Sequence, residues 1–210
     1  MAPRTIDLSH DLSPATPPFP GSPPVAVSIL MAQPQGPLNA SSFSTSLHTG
    51  THLDAPFHFF SQGQTIEQLS PERCMGPAVL LALPGCREVL PAHLEPREAA
   101  IRRCRKLVLD LGWAQHWGEE CYFTEYPVLS PAAARLLVAW GAELLGVDIP
   151  SIDYPPNESH RILLGNGVLI LENLTGLGQI GREEFDLLAL PLRLTGRDAS
   201  PVRALALVED

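Results

Sequence analysis

Nine of the chain's 22 prolines fall within its first 40 residues: Pro3, Pro14, Pro17, Pro18, Pro20, Pro23, Pro24, Pro34 and Pro37. Proline locks φ, lacks a backbone N–H and clashes with a preceding helical turn. This density excludes a long helix and leaves turns and short extended pieces such as TIDLS and VAVSILM. We therefore expect residues 1–40 to form a proline-rich N-terminal arm. It should be ordered as a cover over another surface, because Ile29, Leu30 and Met31 need burial.

Beyond the arm the pattern changes. PAVLLAL (77–83), KLVLDLG (106–112), AELLGVDIP (142–150), GVLILENL (167–174), PLRLTG and ALALVED are short apolar runs bounded by Gly and Pro, and each is expected to be a strand. Two segments read as helices. LEPREAAIRRC places Pro96 and Glu98 early and Arg102 and Arg103 late, the charge order that the helix dipole favours. SPAAARLLVAWG has Ser130 as N-cap, Pro131 as first helical residue and Gly141 just past the end. Strands alternating with helices predict an α/β fold. At 210 residues, one domain spanning 1–210 is the expected organisation.

With 14 basic against 23 acidic residues and no basic run, nucleic acid is excluded as a natural partner. No apolar stretch reaches membrane-spanning length and the start lacks a secretory apolar core, so a cytoplasmic protein is expected. Cys74, Cys86, Cys104 and Cys121 form no CxxC pair and are read as reduced structural cysteines. There is no G-x-S-x-G elbow and no Gly-rich phosphate loop.

Chemistry concentrates in HTGTHLDAPFHF, where His48, His52, Asp54 and His58 are four, two and four residues apart. Gly50 and Pro56 argue against a helix there. In an extended segment these even separations start all four side chains on one face, with Pro56 bending His58 back toward the rest. Imidazoles and a carboxylate suit Zn²⁺, and also Mn²⁺ or Fe²⁺. Asp54 has two oxygens with which to bridge a pair of ions. Further ligands must come from elsewhere. Glu172 follows a buried-looking apolar run, where an uncompensated carboxylate is costly, although it could instead pair with Arg161 or cap backbone N–H groups. His160 is a second candidate ligand, with a plain loop histidine as the alternative.

HTGTHLDAPFHF resembles the H-x-G-T-H-x-D-x-P-x-H-F signature of the cyclase-like metal-dependent hydrolases, a family that includes bacterial kynurenine formamidases (arylformamidases) and isatin hydrolases. IDLSHDLSPATPPFPG, GVDIPSIDYP and GVLILENLTGL resemble further segments of that family, in the expected order over most of the chain. The resemblance implies a swivelling β/β/α domain and a homodimer or higher homo-oligomer whose arm reaches a neighbouring subunit. It implies two Zn²⁺ per chain, with Mn²⁺ as the alternative. His48 and His52 would hold one ion, Asp54 and Glu172 would be shared, and His160 would hold the second. His58 would be the catalytic histidine, relaying a proton to the leaving nitrogen. Phe19 would enclose the substrate where tryptophan is usual; phenylalanine stacks on a ring but lacks the indole N–H. The implied reaction cleaves a small aromatic amide, such as N-formyl-kynurenine to the aromatic amine and formate, a step of tryptophan catabolism. Opening of a cyclic amide or lactone is the alternative. A noncatalytic structural metal protein is the reading from a different class.

Overall fold

A computed structural model describes residues 3–209 of the chain. The first two residues of the expected arm and Asp210, at the end of the ALALVED run, lie outside the described residues. In chain order the strands are β1 (Arg4–Asp7), β2 (Ala26–Met31), β3 (Ala40–Ser44), β4 (His52–Asp54), β5 (Met75–Ala82), β6 (Glu88–Val89), β7 (Lys106–Asp110), β8 (Val128–Leu129), β9 (Leu144–Val147), β10 (Leu169–Glu172), β11 (Glu184–Leu188), β12 (Ala199–Pro201) and β13 (Leu205–Val208). The helices are α1 (Pro91–Leu94), α2 (Glu98–Cys104), α3 (Pro131–Ala139) and α4 (Glu158–Gly165).

Nine strands form one curled sheet in the order β1-β13-β11-β5-β7-β9-β10-β4-β12. Its middle, β5-β7-β9-β10, is parallel. Strands buried on both faces read as unbroken apolar runs, which is why KLVLD, LLGV and LILE lack alternation. Successive residues there serve opposite faces. Leu107, Leu109 and Leu145 join a core with Ile101, Leu137 and Leu163 beneath the helices. Val108, Leu144, Leu169 and Leu171 join a second core with Ile6, Leu8, Leu187 and Ala206 from the curled antiparallel wing. That wing alternates, as EFDLL and LALV do, because only one face is covered.

The α3 prediction holds in detail: the Ala133 N–H donates to Ser130 Oγ at 3.2 Å and Pro131 opens the helix. The other expected helix is divided, with α1 and a 3-10 turn at Glu95–Arg97 leading into α2. Three expectations are corrected. PLRLTG is not a strand; apart from a single bridge between Pro191 and Val202 it is irregular. Pro191 has no N–H to give a ladder. The strand in this region is β11 instead, from a charged sequence that alternation alone does not announce. The described part of the arm is ordered, but Ile29, Leu30 and Met31 are not buried: among the described residues β2 and β3 pair only with each other, and Ile29 is 75% exposed. HTGTHLDAPFHF is not one extended segment, since only His52–Asp54 is strand. Gly50, at φ +67°, turns the chain before β4, and Pro56 opens a 3-10 turn after it. No helix among the described residues is long and apolar enough to cross a membrane.

Candidate metal centre

Strand β4 carries His52 and Asp54 on one face, two residues apart, and pairs antiparallel with β10 so that His52 lies opposite Glu172. The turn at Gly50 returns His48 to the same place, the Pro56–His58 turn brings His58, and α4 presents His160. All six line one cavity of about 330 Å³, and Phe19 stands at its wall. The sequence-predicted residues thus converge, although His160 reaches the site from a helix rather than a loop. Glu172 pairs with neither Arg161 nor a backbone cap. Arg161 lies over the Phe59 ring, 5.1 Å from its centroid.

His48 Nδ1 is 2.9 Å from Asp54 Oδ1, and His52 Nε2 is 3.4 Å from both Asp54 Oδ1 and Glu172 Oε2. His160 Nε2 is 3.3 Å from Glu172 Oε1. The contacts at His52 Nε2, both Asp54 oxygens and Glu172 Oε1 lack hydrogen-bonding direction, leaving these buried atoms without partners. Orphaned buried nitrogen and carboxylate oxygen in one cluster are expensive unless something joins them. A divalent cation does so, and a set of imidazole and carboxylate ligands is the chemistry that Zn²⁺ and Mn²⁺ accept. The residues fit such an ion.

The supporting shell fixes the rings. His52 Nδ1 donates to the Gly50 carbonyl at 2.9 Å, which also accepts from Asn173 Nδ2 at 2.9 Å; Asn173 Oδ1 in turn accepts from Tyr122 OH at 2.8 Å. His160 Nδ1 lies 2.5 Å from Asp153 Oδ1, and its ring stacks on Phe59. Each arrangement leaves Nε2 turned toward the carboxylates, the usual orientation of a metal-binding histidine. Asp198 completes the shell, with Oδ2 2.8 Å from His48 Nε2 and 3.5 Å from His58 Nδ1.

Without an ion the cluster is an ionic network. Burial works against charging His48, but Asp54 and Asp198 outweigh it and push its pKa up to about 9. His52 rises to about 10, burial being overcome by Asp54 and Glu172. His160 also rises to about 10, through Asp153 and Glu172 against burial. Asp54 is held well below the usual carboxylate range despite burial, by His48 and His52, and the His48 hydrogen bond holds Asp198 down to about 2. His58 differs: burial dominates and lowers its pKa, leaving it neutral at pH 7.

Sequence reasoning missed Asp153, Asp198, Asn173 and Tyr122 as site residues. Asp153 was within reach, since it lies in the IDYP segment shortly before the histidine-bearing helix, where an acid is a natural orienting group. Asp198 lies 150 positions from His48 in an ordinary-looking turn, GRDAS, and carries no local signal.

A nine-stranded curled α/β sheet carries a buried histidine–carboxylate cluster able to hold a divalent cation, and similarity to known proteins gives the family. The family model described as "Putative cyclase" matches residues 6–154, and the chain belongs to that cyclase family. It is 32% identical over 209 residues to the kynurenine formamidase of Bacillus cereus, covering 95% of each chain. Among solved structures it matches isatin hydrolase A from Labrenzia aggregata, bound to benzyl benzoate, with a TM-score of 0.87 and 25% identity, over 99% of this chain and 94% of that one. It also matches a structure described as a potential metal-dependent hydrolase with cyclase activity, with a TM-score of 0.83 and 23% identity over 100% of both chains.

Proposed function

We propose that the chain is a metal-dependent hydrolase of amide C–N bonds that cleaves an aryl formamide such as N-formyl-kynurenine to the aromatic amine and formate. The observation that carries this reading is the convergence of five candidate ligands, a neutral histidine and an aromatic wall on one cavity. The similarity to kynurenine formamidase over nearly the whole chain supports the substrate class. His48 and His52 would hold one Zn²⁺, His160 the second, with Asp54 and Glu172 shared. When bound there, the ions supply Lewis acidity that brings water toward ionisation near neutral pH and polarises the scissile carbonyl.

The chain's own groups do the rest. Phe19, set edge-on to Phe123 at 5.8 Å, offers its face to the aryl ring. Tyr126, Pro150 and Pro155 limit the ring's freedom on the remaining wall. His58, neutral at pH 7, accepts a proton from the attacking water and returns it to the leaving nitrogen, so that an amine rather than an amide anion departs. Asp153 keeps the His160 ring in register. The whole chain acts as one hydrolase domain with residues 1–40 as its arm, and the exposed apolar side chains of the β2–β3 hairpin support a homodimer in which a second subunit covers them.

A second reading is the opening of a cyclic amide, as in isatin hydrolase. Apart from Asp153, whose carboxylate is taken up by His160, the polar cavity groups outside the cluster, Ser22, Tyr126, Ser151 and Asn157, carry no formal charge, so an uncharged fused ring fits without an ion pair. Metal analysis by mass spectrometry, paired with absorbance assays on N-formyl-kynurenine and isatin, separates the two. Two zincs per chain with formate release is the expected result. A single manganese with isatin opening would move the assignment to the second reading, and tightly held metal with neither activity would refute both.

A further inference from the structure

We propose that Asp198 is a positioning residue for the reaction: one carboxylate that ties the His48 and His58 rings together and fixes which nitrogen of His58 carries the proton. This rests on the hydrolase reading above. Asp198 Oδ2 stands 2.8 Å from His48 Nε2 and 3.5 Å from His58 Nδ1, and the two ring centroids are 4.2 Å apart. His48 and His58 line the cavity, and Asp198 meets both rings from outside that lining with its side chain 35% exposed. Among the described residues, Asp198 is the one carboxylate within ion-pair distance of the His58 ring, and Phe59 packs edge-on against that ring at 4.8 Å.

The backbone makes this placement rigid. The Ala55 N–H donates to the Asp198 carbonyl at 2.9 Å, and the next residue, Ala199, is in register with Asp54 on β4. Asp198 is therefore fixed to the same strand that carries His52 and Asp54, and the turn bearing His58 begins two residues beyond that strand. A carboxylate accepting the Nδ1 proton leaves Nε2 with its lone pair free, which is the tautomer a proton shuttle needs. In the cycle His58 Nε2 takes one proton from the attacking water and gives it to the leaving nitrogen. Asp198 is never protonated; it faces the transient imidazolium with its charge. At 3.5 Å the His58–Asp198 contact is an ion-pair distance rather than a formed hydrogen bond, and catalytic hydrogen bonds of this kind commonly tighten only with substrate bound.

The test compares zinc-loaded wild type with Asp198→Asn and Asp198→Glu, following zinc per chain, kcat and KM on N-formyl-kynurenine, and the His58 tautomer by long-range ¹H–¹⁵N NMR of histidine-labelled protein. Expected for Asp198→Asn are unchanged zinc, KM within about threefold, kcat lower by roughly 10²–10⁴-fold, and loss of the Nδ1-protonated His58 signature. Asp198→Glu should recover part of kcat. Zinc lost in proportion to kcat would overturn the proposal by making Asp198 a support for His48 alone. An unchanged His58 tautomer in Asp198→Asn would overturn it as well. If wild type turns over neither N-formyl-kynurenine nor isatin, the hydrolase reading fails and the catalytic role with it, while the NMR comparison separately decides whether Asp198 sets the His58 tautomer.

Discussion

Gly63 lies outside the ligand set, yet its replacement by alanine should damage catalysis through the backbone that holds His58. A Cβ built on Gly63 would sit 2.6 Å from the Pro56 carbonyl carbon, 2.7 Å from its oxygen and 2.8 Å from the Phe57 nitrogen. These are backbone atoms, so no side-chain rotation relieves the contact. Ordinary van der Waals contact begins at 3.4 Å, and the turn at Pro56–His58 must therefore retreat by about 0.8 Å. Two hydrogen bonds resist that movement, Phe57 N–H to the Gln64 carbonyl at 3.0 Å and Gly63 N–H to the Phe60 carbonyl at 2.7 Å. Overpacking of this kind costs roughly 1–3 kcal/mol. At roughly 2–4 °C per kcal/mol for a chain of this size, Tm should fall by roughly 2–12 °C. Displacing a catalytic group by about 1 Å costs on the order of 10²-fold in rate. The assay is kcat on N-formyl-kynurenine with zinc content and thermal unfolding measured on the same Gly63→Ala sample. Zinc should stay bound, because the clash lies on the His58 side of β4. A variant with wild-type kcat and wild-type Tm would refute the claim that Gly63 is required by the approach of the Pro56 turn.

His58→Ala should keep its metal and lose roughly 100-fold or more in turnover, the scale of a lost proton-transfer group; loss of one zinc equivalent would show His58 to be a ligand instead. Metal-free protein should lose stability as pH rises. His48, His52 and His160 have pKa values raised from 6.5 to about 9, 10 and 10, so their stabilisation is complete below about 6.5 and disappears as pH climbs through 9 to 10. The urea midpoint of chelated protein should accordingly drop between pH 7 and pH 9.5, and a flat profile would contradict the ionic network. At the acid end, Asp198, lowered from 3.8 to about 2, gives up its contribution only as pH falls through that interval. Phe19→Trp should shift preference between N-formyl-kynurenine and isatin, measured as the ratio of their kcat/KM values; an unchanged ratio would remove Phe19 from contact with the substrate ring.

The parallel strands were legible because burial on both faces produces unbroken apolar runs, and α3 was legible because Ser130, Pro131 and Gly141 are local signals with local causes. β11 was not, since Glu184 and Asp186 fall on its outward face and dilute the apolar signal of Phe185 and Leu187. PLRLTG has strand-like composition but pairs only through the single Pro191–Val202 bridge, and pairing is a property of the sheet rather than the segment. The same division runs through the site. His48, His52, Asp54 and His58 lie close together in sequence, so their spacing exposed them. Their geometry did not follow from that spacing, because one glycine at positive φ and one proline-led turn replaced the expected extended run. Glu172 was suggested by the cost of a carboxylate beside buried leucines. Asp198 meets the cluster only because β12 pairs with β4, a long-range fact that no window of sequence contains.

The site's electrostatics also bear on whether the metal serves the fold or the chemistry. His52, Asp54, His160 and Glu172 are each buried, a density of ionisable groups that a folded chain tolerates only when charges are matched. Raised imidazole and lowered carboxylate pKa values give opposite charges at neutral pH, which offsets part of that cost but leaves buried polar atoms without partners. The two hydrophobic cores on either side of β7 and β9 are built from aliphatic and aromatic side chains that do not depend on the cluster. A structural metal is needed where a core is too small to stand alone, a condition these two cores do not meet. What the ion changes is the set of atoms left without hydrogen-bond partners: His52 Nε2, both Asp54 oxygens and Glu172 Oε1. Those atoms face the cavity that also holds His58 and Phe19, so the energetic reason to bind a cation is located where a substrate would be.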